Sequence, residues 1–137
     1  MKIFEGRQLK GSNIHPVCRI RILNQIKQTR ICKGTNHPKF NEIFFFNLNL
    51  SEKELCDEII DFSLFNSRTL RSDMKIGMFK MDIAFVNSQI KRSIHRKWLL
   101  LSDENDPMTG AKGYLKVSVN ILGPGDELPV GYKVNFD

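Results

Sequence analysis

Apolar and polar positions alternate over short stretches of this chain, and few stretches hold a helical period. Residues 17–22, Val17-Cys18-Arg19-Ile20-Arg21-Ile22, are the clearest case. Successive side chains on a strand point to opposite faces, so Cys18, Ile20 and Ile22 share one face and Val17, Arg19 and Arg21 the other. Residues 2–8 predict a first strand, and residues 9–16 a loop carrying Gly11, Ser12, Asn13 and Pro16. Asn24-Gln25 predicts a turn into a strand over residues 26–32, the two strands forming a hairpin.

The strongest punctuation is Thr35-Asn36-His37-Pro38-Lys39-Phe40-Asn41-Glu42. Pro38 fixes its own φ and disfavours the α region at His37. Asn36 and Asn41 are turn formers whose side chains bond nearby backbone. The run Ile43-Phe44-Phe45-Phe46 that follows has strand composition and is too short for a helix. A strand is expected over residues 41–48, its phenylalanines in the core and on the sheet surface. Ser51 with Glu54 has the form of a capping box, which predicts a short helical turn with Leu55 covering part of the core. Strand periodicity returns at residues 61–65. A loop over 66–75 leads to strands at 76–83, 96–101 and 113–122, with polar turn composition at 102–112. Trp98 is expected as a core anchor.

Many short strands and one helical insert predict an all-β fold, an antiparallel β-sandwich of two layers. Residues 1–123 read as the domain. Residues 124–137 read as a C-terminal linker or an edge-packing tail, and Tyr132, Val134 and Phe136 alternate within it.

The length of 137 residues suits one domain with a real core, and 41% hydrophobic with 26% charged residues is ordinary for a soluble globular chain. No stretch approaches the about 18 apolar residues that a spanning helix needs. Glu5-Gly6-Arg7-Gln8 interrupts any apolar leader. Cys18, Cys32 and Cys56 are odd in number and lack a CxxC, which argues against a disulfide framework or zinc site and for a reducing compartment. Cys18 lies in the apolar alternation and reads as a small core hydrophobe.

The spelling T-N-x-P-x-F-N-E-x-F-x-F resembles the fourth-strand region of C2 domains, β-sandwich modules that dock proteins on membranes. Further stretches resemble the ferlins, and within them the second C2 module of the group containing dysferlin, myoferlin and their fer-1-like relatives. They include Ile3-Phe4-Glu5-Gly6-Arg7-Gln8-Leu9, Asn66-Ser67-Arg68-Thr69-Leu70-Arg71, Arg96-Lys97-Trp98-Leu99-Leu100-Leu101-Ser102-Asp103 and Lys112-Gly113-Tyr114-Leu115-Lys116-Val117. The resemblance spans nearly the whole chain. It implies type II topology with two four-stranded sheets. It also implies a non-enzymatic module of a large, C-terminally anchored protein of vesicle fusion and membrane repair, at the cytosolic face of plasma or vesicle membranes.

Calcium takes about six to eight oxygen ligands, several of them carboxylates. In calcium-binding C2 domains these come from two loops at one end of the sandwich. The position before the strand-opening proline is here His15, and residues 9–16 hold no carboxylate. The Asp-x-Asp pair of the second loop is matched by Asn66 and Arg68, and the later ligand by Met74, with Asp73 one residue away. The resemblance therefore implies a C2 domain without an intact calcium site and without a cofactor, in which Asp73 caps a turn and His15 is a loop hydrogen-bonding residue. Asp57, Asp61 and Asp82 stand outside the matching positions, and Asp82 is expected to end a strand or pair with a cation. Weak, calcium-dependent phospholipid binding is the alternative.

The net charge is +6, unevenly spread. Residues 1–40 hold nine Lys/Arg against Glu5 alone, whereas residues 51–61 hold five acidic residues and one lysine. Arg19, Arg21, Arg30, Lys33 and Lys39 are candidates for anionic headgroups, phosphoinositides included, or for an acidic partner. A cation near a membrane contributes about 1 kcal/mol, screened by salt. Arg68 and Arg71 are candidates on the later loop, with Ile14, Leu70 and Met74 as shallow insertion residues. The partners expected are other domains of the same protein or trafficking proteins, and anionic phospholipids. The basic stretch over residues 91–97 lacks interleaved aromatics, which weakens a nucleic-acid reading. GxSxG, HExxH and P-loop signatures are missing from the sequence, and Ser102, His95 and Asp103 are neighbours in sequence only.

Overall fold

A computed structural model describes residues 1–129; residues 130–137, and with them most of the expected tail, lie outside the described residues. The strands in chain order are β1 (Lys2–Arg7), β2 (Pro16–Ile22), β3 (Gln25–Gln28), β4 (Lys39–Ile43), β5 (Ile59–Asn66), β6 (Met74–Asp82), β7 (Ser93–Leu101) and β8 (Gly113–Asn120). They form two four-stranded sheets, ordered β4-β1-β8-β7 and β3-β2-β5-β6, with antiparallel pairing throughout. This is the sandwich that the alternation predicts. β8 lies between β1 and β7, so the first sheet closes by joining the two ends of the domain.

The core is built from the inward set of each strand. Cys18, Ile20 and Ile22 on β2, with Ile60, Phe62 and Leu64 on β5, are buried in one cluster with Ile3, Leu99, Leu101, Leu115, Val117 and Val119 of the first sheet. Each such aliphatic or aromatic side chain contributes about 1.5–3 kcal/mol on leaving water. Arg19 and Arg21 face outward as expected. Val17 lies outside that cluster, opposite Phe65 on β5, yet is itself buried.

Local structure departs from expectation at four places. First, the hairpin turns at Leu23-Asn24, where Leu23 adopts φ +55°, and β3 stops at Gln28. It stops because Thr29 brings its hydroxyl into the ladder, accepting from Cys18 N at 3.0 Å, while Thr29 N donates to Cys18 O at 2.9 Å.

Second, β4 begins at Lys39 and ends before the phenylalanine run. Ile43 pairs with Lys2 and Phe44 N donates to Met1 O, so the ladder reaches the first residue there. Phe40 is the fully buried ring. Phe44 and Phe46 pack against the edge of the core, and Phe45 is 46% exposed.

Third, the chain after β6 forms a helix, α2 (Ile83–Asn87), burying Ile83 and Val86 one turn apart. A single turn is too short to announce a helical period. The anticipated capping-box helix is α1 (Glu52–Leu55), with Ser51 Oγ accepting from Glu54 N and Glu54 Oε1 from Ser51 N, both at 3.2 Å.

Fourth, Trp98 is no core anchor. Leu99 and Leu101 take the inner face, so the period of two turns Trp98 outward, where it is 38% exposed.

Gly77 lets the two sheets meet at a corner. A Cβ there would lie 2.9 Å from that of Lys112, and the next residue, Met78, exchanges both backbone bonds with Ser102. Truncating Phe40→Ala should lower stability by about 3–5 kcal/mol, whereas Phe45→Ala should stay within about 0.5 kcal/mol. Urea midpoints of the two variants check the contrast.

Candidate functional site

The loops 8–15, 29–38 and 67–73 gather at one end of the sandwich, where Asn36 ties the first two. Its amide donates to Leu9 O at 2.6 Å and Gly11 O at 2.8 Å, and Leu9 N returns a bond to Asn36 O at 3.1 Å. Pro38 holds this turn against the first strand through Gly6 N, which donates to Pro38 O at 2.9 Å. Two histidine rings act as acceptors for backbone amides. Gly34 N donates to His15 Nδ1 at 2.9 Å, and Gln8 N to His37 Nδ1 at 3.1 Å. The later loop joins through Asn66. His15 N donates to Asn66 Oδ1 at 2.9 Å, and Ser67 N donates to His15 O at 2.9 Å.

Of the residues matched to calcium-ligand positions, His15 and Asn66 are brought together and bind one another. His15 and Asn66 bridge two loops. Arg68 folds back on its own loop, donating from Nε at 2.9 Å and from Nη2 at 2.6 Å to Ser72 O. Met74 opens β6 and is 54% exposed. Asp73 is not a turn cap; its Oδ2 lies 3.4 Å from Arg19 Nη2. Within the three loops Asp73 is the one carboxylate, already facing a guanidinium; the neighbouring loop 102–112 adds Asp103, Glu104 and Asp106, with Glu104 2.9 Å from Lys75 Nζ, and no three His, Cys, Asp or Glu side chains converge among the described residues. This donor set does not fit a cation that takes about six to eight oxygens.

The apolar loop candidates divide. Leu70 is 94% exposed. Ile14 is a correction: it is 3% exposed and belongs to the core cluster, because the tied loop folds its side chain inward. Arg71 is exposed beside Leu70.

The candidate cations of the first forty residues do not form one patch. Arg19 also lies 4.3 Å over the Phe65 ring and donates to Gln28. Arg21 stands 3.9 Å from Asp61. Arg30 donates to Lys39 O at 2.6 Å, while its backbone N–H donates to Glu42 at 2.8 Å. Lys33 is exposed in the loop. Lys39 belongs to the other sheet and pairs with Glu5, which Arg7 also reaches at 3.0 Å. The Lys39 hydrogen bond, reinforced by the charges of Lys39, Arg7 and Lys116, outweighs burial and holds the Glu5 carboxyl below its ordinary range. His95 Nε2 sits 3.3 Å from Ser93 Oγ, while Ser102 pairs its backbone with Met78.

Sequence reasoning passed over the outer face of the first sheet. There Arg7 and Lys116 lie 5.0 and 5.6 Å over Trp98, and Lys2 and Arg96 lie 4.8 and 4.9 Å over Phe4. The signal is the alternation Trp98, Leu99, Leu100, Leu101, in which Leu99 and Leu101 are buried and Trp98 and Leu100 are not.

The sequence model of the C2 domain family matches residues 1–101, and that of the FerI (NUC094) domain matches residues 102–136. The second match contains β8, the strand between β1 and β7, so the two matches meet inside one sandwich. Myoferlin of Homo sapiens is 47% identical over 129 residues, 94% of this chain and 6% of that protein. Myoferlin of Xenopus tropicalis is 48% identical over 130 residues, 95% of this chain and 7% of that protein. The chain thus spans about 6–7% of the length of these relatives. Among solved structures, the first C2 domain of plant extended synaptotagmin 1 superposes with TM-score 0.70 at 17% identity, covering 85% of this chain and 87% of that one. The calcium-bound pair of C2 domains of extended synaptotagmin 2 gives TM-score 0.69 at 18% identity, covering 87% of this chain and 39% of that one. At such identities the structural likeness speaks for the fold.

Two outcomes follow from the geometry. Asn66→Ala removes the acceptor for His15 N, which should cost about 1 kcal/mol and speed hydrogen exchange at the His15 amide. Glu5 has a depressed folded-state pKa, so its contribution is present above the ordinary carboxylate range and is lost as pH falls through the lowered value. Glu5→Gln should therefore destabilise the domain near neutrality and flatten the acid limb of the urea midpoint against pH.

Proposed function

The chain belongs to the C2 domain family and is a C2 domain of the ferlins, a membrane-trafficking family, and from that premise we propose that it is a calcium-independent contact module. It serves contact with other domains of the same protein or with trafficking proteins and performs no catalysis. The placement as the second C2 module of a dysferlin-, myoferlin- or fer-1-like protein belongs to this proposal. So does its action at the cytosolic face of a membrane. Among the described residues no helix is long and apolar enough to cross a membrane.

The observation that carries the reading is the loop end. There, backbone amides are met by His15, His37 and Asn66, while Arg68 turns to Ser72 O and Asp73 faces Arg19. A calcium-dependent C2 domain gains its loop order and positive potential from the ion. Here side-chain hydrogen bonds supply the order and arginines the charge. Calcium-dependent phospholipid binding is the competing reading, and this donor set weighs against it.

A second reading, calcium-independent contact with anionic phospholipid, is favoured by Leu70 and Met74. Leu70 is an exposed apolar side chain on the loop that also carries the exposed Arg71, and Met74 is exposed where that loop enters β6. A loop of this kind places apolar atoms below the headgroups and guanidinium groups at phosphate level.

Co-sedimentation with phosphatidylserine and phosphoinositide vesicles, across a salt series with calcium or chelator, tests both readings. Bound fractions should be the same with and without calcium, should fall with salt, and should drop for Arg68→Glu with Arg71→Glu. Binding that appears only with calcium would overturn the proposal. Crosslinking of this module within the longer protein should recover contacts to neighbouring domains; none in a protein that still sediments with vesicles would leave lipid contact as its function.

A further inference from the structure

We propose that the outer face of the β4-β1-β8-β7 sheet is a second docking surface, distinct from the loop end, and that its occupant is an acidic protein segment lying across β1, β8 and β7. The inference deepens the protein-contact reading and rests on it.

The face is built by two β-bulges, one on each side of β8. Register shifts between Ile3 and Glu5 on β1, and again between Ile94 and Lys97 on β7. A bulge re-aims side chains, and these two turn Phe4 and Arg96 toward each other across β8. The Arg96 guanidinium lies 4.9 Å from the Phe4 ring, and its backbone takes φ +46°, a left-handed conformation uncommon outside glycine. Arg96 N donates to Ser118 Oγ at 2.9 Å, which secures the bulge to β8.

Lys116 sits at the centre. It is the cross-strand partner of both Glu5 and Trp98, and its ammonium lies 5.7 Å over Phe4 and 5.6 Å over Trp98. Arg7 covers Trp98, and the neighbouring row carries Tyr114 and the half-exposed Leu100.

Charge states what this face takes. Among the described residues of this face, the cations Lys2, Arg7, Arg96 and Lys116 accompany the carboxylate of Glu5, which Lys39 and Arg7 already engage. On the outer face of the other sheet the cations are met more evenly: Arg19, Arg21 and Lys75 pair with Asp73, Asp61 and Glu104 in turn, and Lys80 stands across from Asp61. An occupant of complementary charge is therefore acidic.

Two features favour protein over membrane. Trp98 and Leu100 lie within a sheet and do not project from a loop tip, so the face offers area and no wedge for insertion. The cations rest on aromatic rings and are partly ordered before binding, which reduces the entropy lost in fixing them. Trp and Arg are also the side chains that most often dominate protein interfaces.

The probe is a synthetic peptide in which Glu alternates with Leu, titrated into the isotope-labelled chain and followed by amide and indole NMR shifts. Shifts should concentrate at Phe4, Arg96, Lys116 and the Trp98 indole. Arg96→Gln with Lys116→Gln should weaken binding about tenfold, while Arg68→Glu with Arg71→Glu should leave it unchanged. Trp98→Ala should weaken binding with the amide spectrum otherwise preserved, giving a variant that leaves β8 untouched. Shifts centred on the loop end, or indifferent to the sheet variants, would overturn the proposal. So would phosphatidylserine bicelles that perturb this face at concentrations where the peptide does not, which would make it a membrane surface. If the peptide fails while crosslinking still finds neighbouring domains, this inference falls and the contact-module reading stands. If both fail, the contact-module reading falls with it.

Discussion

The loop end must find partners for its own backbone, and the rest of the functional reading depends on how it does so. Loops carry N–H and C=O groups that no ladder satisfies, and buried ones need a partner. In a cation-binding sandwich the ion organises such loops. Here the partners are Asn36, His15, His37 and Asn66, which hold three loops through bonds of 2.6 to 3.1 Å. Because Asn36 draws residues 9–11 down, the loop closes over the core and takes Ile14 with it. The same constraint removes one apolar side chain from the surface.

The sandwich provides the frame on which this works. β2 runs out of the loop at Pro16, and Asn66 ends β5 directly opposite it, so strand register sets the His15 and Asn66 positions side by side. Side-chain hydrogen bonds between loops then require no further adjustment. At the other face of the molecule, register acts differently. Bulges on β1 and β7 interrupt pairing with β8 and gather rings and cations on a flat outer surface. One fold thus presents two surfaces of different character: tied loops with a few exposed apolar and arginine side chains, and a sheet face with ordered cations.

The regular parts were legible because period-two alternation and turn residues act locally. The inward set of β2, the capping box at Ser51 and the strands β5 and β8 needed only neighbouring residues. The Asn36-His37-Pro38 turn was legible as a turn, but its role as a clamp on residues 9–11 is a contact across 27 and 25 positions that no window reveals. The phenylalanine run was misread because composition gives β propensity and says nothing of where a partner strand stops. Trp98 was misread for a related reason. A large ring is ordinarily buried, yet on β7 the parity set by Leu99 and Leu101 decides its side. The candidate cations were found by charge, but which sheet each stands on and which carboxylate faces it depends on strand order, and Lys39 proved to stand in the first sheet, beside Glu5 on β1.

The central claim is that side chains, and no ion, order the loop end. Thermal unfolding of the chain in saturating calcium and in chelator, with amide spectra recorded in both, tests it most directly, since anything that binds the native state selectively raises its stability. The account predicts the same midpoint in the two conditions and unchanged amide positions for His15, Gly34 and Asn66. A higher midpoint in calcium, accompanied by shifts at those residues, would contradict it.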